Sequence, residues 1–167
     1  MGCGRDGVGG MKDNGCVCEV VRAILEIQNQ ATHNDCSGCT TNCFLEPLGG
    51  IVSPARKSAD TRVFKLLTNT GKPFMATFSS DKYDDVCASI YFRVEDIFDD
   101  CCATLRVLIP LADDEGVNLL SDDGTQIDLH SVCEVNNFAS SNSCVTVDLS
   151  CFCAVQCVMD VDLCICD

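Results

Sequence analysis

The reactive chemistry of this sequence lies in closely spaced cysteines: Cys16-x-Cys18, Cys36-x-x-Cys39 followed by Cys43, Cys151-x-Cys153 and Cys164-x-Cys166. Thiols at such spacing serve three chemistries. Tetrahedral zinc takes four thiolate or imidazole ligands, and His33, Cys36, Cys39 and Cys43 would supply one such set on a loop. Only one C-x-x-C occurs, however, so no zinc-ribbon pair is present, and no metal or other cofactor is expected in the first reading. Thiol–disulfide exchange of the thioredoxin type needs a βαβ setting, and none surrounds Cys36-Ser-Gly-Cys39. The third chemistry is disulfide cross-linking. His33 and His130 are the only histidines, and neither carries a nucleophile signature, so catalysis has little support and no enzyme is expected. The acidic clusters Asp113-Asp114-Glu115 and Asp122-Asp123 lack EF-hand spacing and read as solvated loops.

Sixteen of 167 residues are cysteine, while hydrophobic residues at 47% suffice for a real core, so the thiols are not needed to replace one. The start MGCGRDGVGG has no apolar signal core, and Asp6 stands where a myristoylation motif wants Ser or Thr. No run approaches a membrane span, so membrane insertion is not expected. Synthesis in a reducing cytoplasm without a signal peptide is therefore expected, which conflicts with so many thiols unless oxidation comes later. The net charge of −14 argues against nucleic acid or an anionic membrane surface as partner. That charge is uneven: residues 1–93 balance 10 basic with 10 acidic groups, whereas 94–167 set Arg106 alone against 15.

The elements that must position the thiols follow from periodicity. Residues 1–15 read as a flexible arm bearing Cys3. Val17, Val20, Val21, Ile24 and Leu25 recur at helical spacing and predict one amphipathic helix over about 16–31. An irregular connector runs to about residue 60. Beyond it the period is two: Arg62–Thr68 and Pro73–Phe78 flank a turn at Thr70-Gly71, and Ala88–Glu95 alternates against Cys101–Ile109. Turning that second pair at Asp99-Asp100 makes paired numbers sum to 199, so Phe92 meets Val107 and Val94 meets Leu105. The same register opposes Arg93 to Arg106 and needs Glu95 between them. Residues 113–143 read as surface excursions with a short strand near Gln126–Val132, and Val145–Cys157 as one last strand. The expected fold is mainly β, an antiparallel sandwich or open barrel with one N-terminal amphipathic helix. Residues 1–60 form the cysteine-rich arm, helix and connector, and 61–167 the β-rich core with a cysteine-rich tail.

Strand parity then sorts the thiols. Cys101, Cys151, Cys153 and Cys157 fall on apolar faces and are expected to be buried and inert. Cys87, Cys102 and Cys144 fall on polar faces, and Cys3, Cys16, Cys18, Cys164 and Cys166 lie in or near the termini. These eight are the cross-link candidates, placed to bond another chain.

Two stretches, FRVEDIFDDCCATLRVL (Phe92–Leu108) and VDLSCFCAVQC (Val147–Cys157), resemble hallmark segments of the CotY/CotZ spore coat family. Cys16-Val-Cys18 before a helix, Cys36-x-x-Cys39 and the strand pair Val63–Phe78 are similar as well, so the resemblance spans about 16–158. It implies a structural protein of the outer spore coat or exosporium. Such a protein assembles with itself, and with other spore coat or exosporium proteins, into ordered two-dimensional layers locked by intermolecular disulfides. It is made in the mother-cell cytoplasm and oxidised as that cell ends. A cysteine-rich zinc-binding interaction module is the alternative.

Overall fold

The computed structural model describes residues 15–35, with side chains to residue 31, together with 59–83 and 87–165. The first element, α1 (Cys16–Asp35), starts where the Gly15 carbonyl accepts from the amides of Cys18 and Glu19, with Glu19 favourably placed in the positive first turn. Its core stripe is Val17, Val21 and Ile24, continued by Gln28. Among the described residues eight strands follow: β1 (Thr61–Thr68), β2 (Ala76–Thr77), β3 (Ala88–Ser89), β4 (Phe92–Phe98), β5 (Cys102–Ala112), β6 (Glu115–Gly116), β7 (Asn137–Asp148) and β8 (Phe152–Val161). A short helix, α2 (Leu129–Glu134), lies between β6 and β7.

Six strands form an antiparallel sheet in the order β6-β5-β4-β1-β8, with β7 also paired to β5, and β2 pairs β3 apart from it. The sheet is open. The expected mainly β, antiparallel fold with one N-terminal helix is thus what the chain adopts. Along β4 and β5 the register is Phe92↔Val107, Arg93↔Arg106 and Val94↔Leu105, as the alternation predicts. A bulge at Glu95 then shifts it to Asp96↔Thr104. That extra residue sits between the two facing arginines: Arg93 Nη1 reaches Glu95 Oε2 at 3.2 Å, and Arg106 Nε donates to Oε1. The like-charge pair is thereby bridged, and the buried Arg93 also donates to Thr61 Oγ1 at 2.9 Å.

Both faces of the sheet are covered. Phe64, Leu66, Phe92, Val94, Leu105 and Val107 pack against Val21 and Ile24 of α1. On the opposite face Val63, Tyr91, Leu108 and Phe138 pack with Val117 and Leu119. Residues 113–143 are therefore not merely surface excursions: Val117 and Leu119 are buried in the core on this face, and β7 begins at Asn137. The strand expected near Gln126–Val132 is instead one bridge, Leu120↔Ile127, followed by α2, because the Asp128 carboxylate caps the helix by accepting from the His130 amide at 3.0 Å. The turn at Gly71 forms with φ +77°, where glycine carries no Cβ penalty, but the returning strand pairs only at Pro73 before β2 leaves for β3.

Gln28 completes the junction between β1 and β4. These strands pair at Phe64↔Phe92, so Arg62 would face Val94 two residues on. The Gln28 amide occupies that step: its Nε2 donates to the Val94 carbonyl at 2.8 Å and its Oε1 accepts from the Arg62 amide at 3.1 Å. Helix α1 is thus hydrogen-bonded into the sheet.

Candidate cross-linking thiols

The thiols divide sharply by environment. Cys18, expected among the cross-link candidates, is fully buried and forms an intrachain disulfide with Cys101, Cα–Cα 5.8 Å, which joins the first turn of α1 to the β4–β5 turn. The Gly15 cap brings Cys18 inward on the core stripe, and the hairpin turn presents Cys101 beneath it. That pairing corrects the expectation that Cys18 serves another chain and that Cys101 is an inert thiol. Beside it, Arg22 Nη2 lies 4.0 Å from Cys18 Sγ and donates to the Asp100 carbonyl oxygen at 3.4 Å.

Cys16, Cys87 and Cys144 are exposed and Cys102 is half-buried, in agreement with their polar-face or terminal positions. Cys102 lies opposite Asp148, and Cys144 opposite Arg106, on one face of the β5–β7 pair. Cys151, Cys153 and Cys157, expected to be buried by parity, are all exposed. The single strand expected over Val145–Cys157 is in fact two. β7 ends at Asp148, whose carboxylate accepts from the Ser150 amide and caps a 3-10 turn at Leu149–Cys151, and β8 then pairs with β1. Cys153 is the extra residue of a bulge between Thr68↔Phe152 and Leu67↔Ala154, so Phe152 and Val155 face the same core from positions of opposite parity. Val158 makes a second bulge. Cys157 does face the α1 side, opposite Phe64, but on the outer strand, where nothing among the described residues buries it. Cys133, exposed on α2, was absent from the expected set because its segment carries no strand or helix period.

The tail is held by one carboxylate. Asp60 accepts from the amides of Leu163 at 2.9 Å and Ile165 at 2.7 Å, and this fixes Cys164 between them. The Cys164 amide donates to Asp162 Oδ1 at 3.0 Å, and the negative charge of Asp162 pushes the exposed thiol above its usual range. Cys3, Cys36, Cys39, Cys43 and Cys166 lie outside the described residues, as does the His33 side chain. The His33, Cys36, Cys39, Cys43 set is therefore not described. Among the described residues no three Cys, His, Asp or Glu side chains converge on a metal position. His130 is exposed on α2, 3.4 Å from Glu134 one turn on. Among the described residues no helix is long and apolar enough to cross a membrane.

What the described residues offer chemically is a sheet with one internal staple, Cys18–Cys101, and thiols displayed on its surface. Comparisons with known proteins agree with such a structural part. Spore coat protein Z of Bacillus subtilis (strain 168) is 35% identical over 149 residues, covering 88% of this chain and 90% of that protein. No solved structure matches the chain. The family profile described as Spore coat protein Z matches residues 1–160, and the chain belongs to that spore coat family.

Proposed function

We propose that this chain is a structural, non-enzymatic protein of the spore coat or exosporium that assembles with itself, and with neighbouring coat proteins, into ordered two-dimensional layers reinforced by intermolecular disulfides. Family membership gives the coat role. The observation that supports cross-linking is the display of exposed thiols at separate places: Cys16 at the head of α1, Cys144 on β7, Cys133 on α2, Cys157 on the outer strand and Cys164 in the tail. A repeated, non-closing contact between copies extends a layer. Once copies are aligned, thiols facing each other across the contact react at a raised effective concentration, so non-covalent contacts set the lattice and disulfides then make it resistant. The −14 net charge favours solubility of the single chain before assembly.

Electron microscopy of the purified protein, before and after reductant at matched concentration, tests this reading. Ordered sheets or stacked rings that persist in reductant but become fragile are expected. A monodisperse monomer under both conditions would remove the self-assembly reading and favour the zinc-binding module, for which stoichiometric metal in the purified protein is the corresponding measurement.

A further inference from the structure

We propose that the Cys18–Cys101 disulfide is an exchange site: an exposed thiolate of a second copy attacks Cys101 Sγ, and Cys18 departs as a thiolate. Only the identity of the attacking chain rests on the cross-linking reading above. Exchange requires the attacking sulfur to reach one disulfide sulfur in line with the bond, and its rate depends on access and on how well the leaving thiolate is stabilised. Access is one-sided here. Cys18 is fully buried, whereas Cys101 lies only partly buried on the β4–β5 turn.

The leaving group is favoured on the same side. Cys18 stands in the first turn of α1, where backbone amides and the helix dipole favour negative charge, and the Arg22 guanidinium is 4.0 Å from its sulfur. The Asp100 carbonyl oxygen, 3.5 Å from the same sulfur, opposes a negative charge there, but it already accepts from Arg22. In the step the Cys18–Cys101 bond breaks with its electron pair on Cys18, and a bond forms between Cys101 and the incoming sulfur. One thiolate is consumed and one released, so no external oxidant enters. The intrachain bond thus carries the oxidising equivalent that becomes an interchain link. Once the released Cys18 thiolate takes up a proton from solvent it is a small, weakly polar thiol in the core, so α1 stays seated.

The test uses the unreduced protein with Cys102→Ser, so that a mass on the turn is assigned to Cys101. Reduced glutathione is added without oxygen, the reaction is quenched early with an alkylating reagent, and peptides are mapped by mass spectrometry without reduction. Glutathione on Cys101 with the alkyl group on Cys18 is expected. Arg22→Gln, with helix content checked by circular dichroism, should slow the exchange by roughly threefold. Glutathione on Cys18, an unchanged rate in Arg22→Gln, or a purified protein in which Cys18 and Cys101 are not bonded would each overturn the proposal. Disulfide-bonded sheets in which Cys101 stays unmodified would sink this site and leave the lattice reading standing.

Discussion

Replacing Gln28 by Leu removes the amide that fills the gap between β1 and β4 while keeping the side-chain volume close to that of the wild type. The Val94 carbonyl then loses its donor in a region where Val94 is fully buried, and the Arg62 amide loses its acceptor at a partly buried position. An unsatisfied buried backbone group costs about 1–3 kcal/mol, with the lower end fitting Arg62, and the gain from burying Leu offsets only part of it. The two groups together cost about 2–4 kcal/mol and the net loss expected is about 1–3 kcal/mol, which for a chain of this size lowers the melting temperature by roughly 2–12 °C. Urea unfolding followed by circular dichroism, with the disulfide intact, measures it. Gln28→Glu serves as the control: its carboxylate still accepts from Arg62 but turns an oxygen toward the Val94 carbonyl, so it should be at least as damaging. A Leu variant within about 0.5 kcal/mol of wild type would refute the reasoning, because β1 and β4 would then have closed the ladder by themselves with a direct Arg62–Val94 bond.

Leu105→Asp places an unpaired charge in the α1-facing core, where Leu105 has no exposure, and should leave no folded protein by circular dichroism. Changing Cys3, Cys16, Cys164 and Cys166 together to Ser should preserve assembly in the microscope but lower its resistance to hot detergent without reductant; unchanged resistance would remove the termini from cross-linking. Cys164 should alkylate more slowly than Cys16 at neutral pH and catch up as pH rises, because Asp162 disfavours its thiolate, and Asp162→Asn should close the difference. Acid stability follows from three carboxylates held below their ordinary range: Asp160 by the Arg62 hydrogen bonds at 2.7 Å, Asp128 by the His130 amide and Asp148 by Ser150. A depressed native value stabilises above the unfolded carboxylate range and is lost as pH falls through it, so the urea midpoint should drop below about pH 4.

Legibility in the sequence tracked how many residues carried one period. The β4–β5 pairing from Phe92 to Val94 is readable in the sequence because alternation runs along both strands and one register matches both apolar faces, and the need for Glu95 between Arg93 and Arg106 is visible too, but the bulge at Glu95 and the one-residue shift it carries toward the turn are not. The helix was readable for the same reason. Where the chain changes partner or gains a bulge, parity carries no information across the break. Val147 and Val155 share a parity and a core, yet Asp148 caps a turn between them and Cys153 inserts a residue, so the intervening cysteines were assigned to the wrong environment. Gln28 illustrates a second limit. A polar residue in an apolar helix stripe reads as a boundary of the core, and its role appears only when two strands are seen to part beside it.

The distribution of the thiols bears on which disulfides a single chain can form. Cys102 and Cys144 share one face of the β5–β7 pair, and since Cys102 faces Asp148, four strand residues separate it from Cys144, about 14 Å at the usual rise. A disulfide needs Cα atoms within about 7 Å, so these two cannot bond each other without breaking the ladder. Cys157 projects from the opposite, α1-facing side of the outer strand β8, and the rigid sheet lies between it and that pair. The same sheet that separates these thiols within a chain presents them on different surfaces, so that in the proposed layer a neighbour's thiols would be the nearer partners. Cys18–Cys101 contrasts with them: a chain separation of 83 residues is closed by packing α1 onto the β4–β5 turn, while Cys102 and Cys144 are held apart by the ladder itself. Peptide mapping of assembled protein should therefore recover no Cys102–Cys144 bond within a chain. Recovery of an intrachain Cys102–Cys144 bond would mean that the β5–β7 ladder opens during assembly.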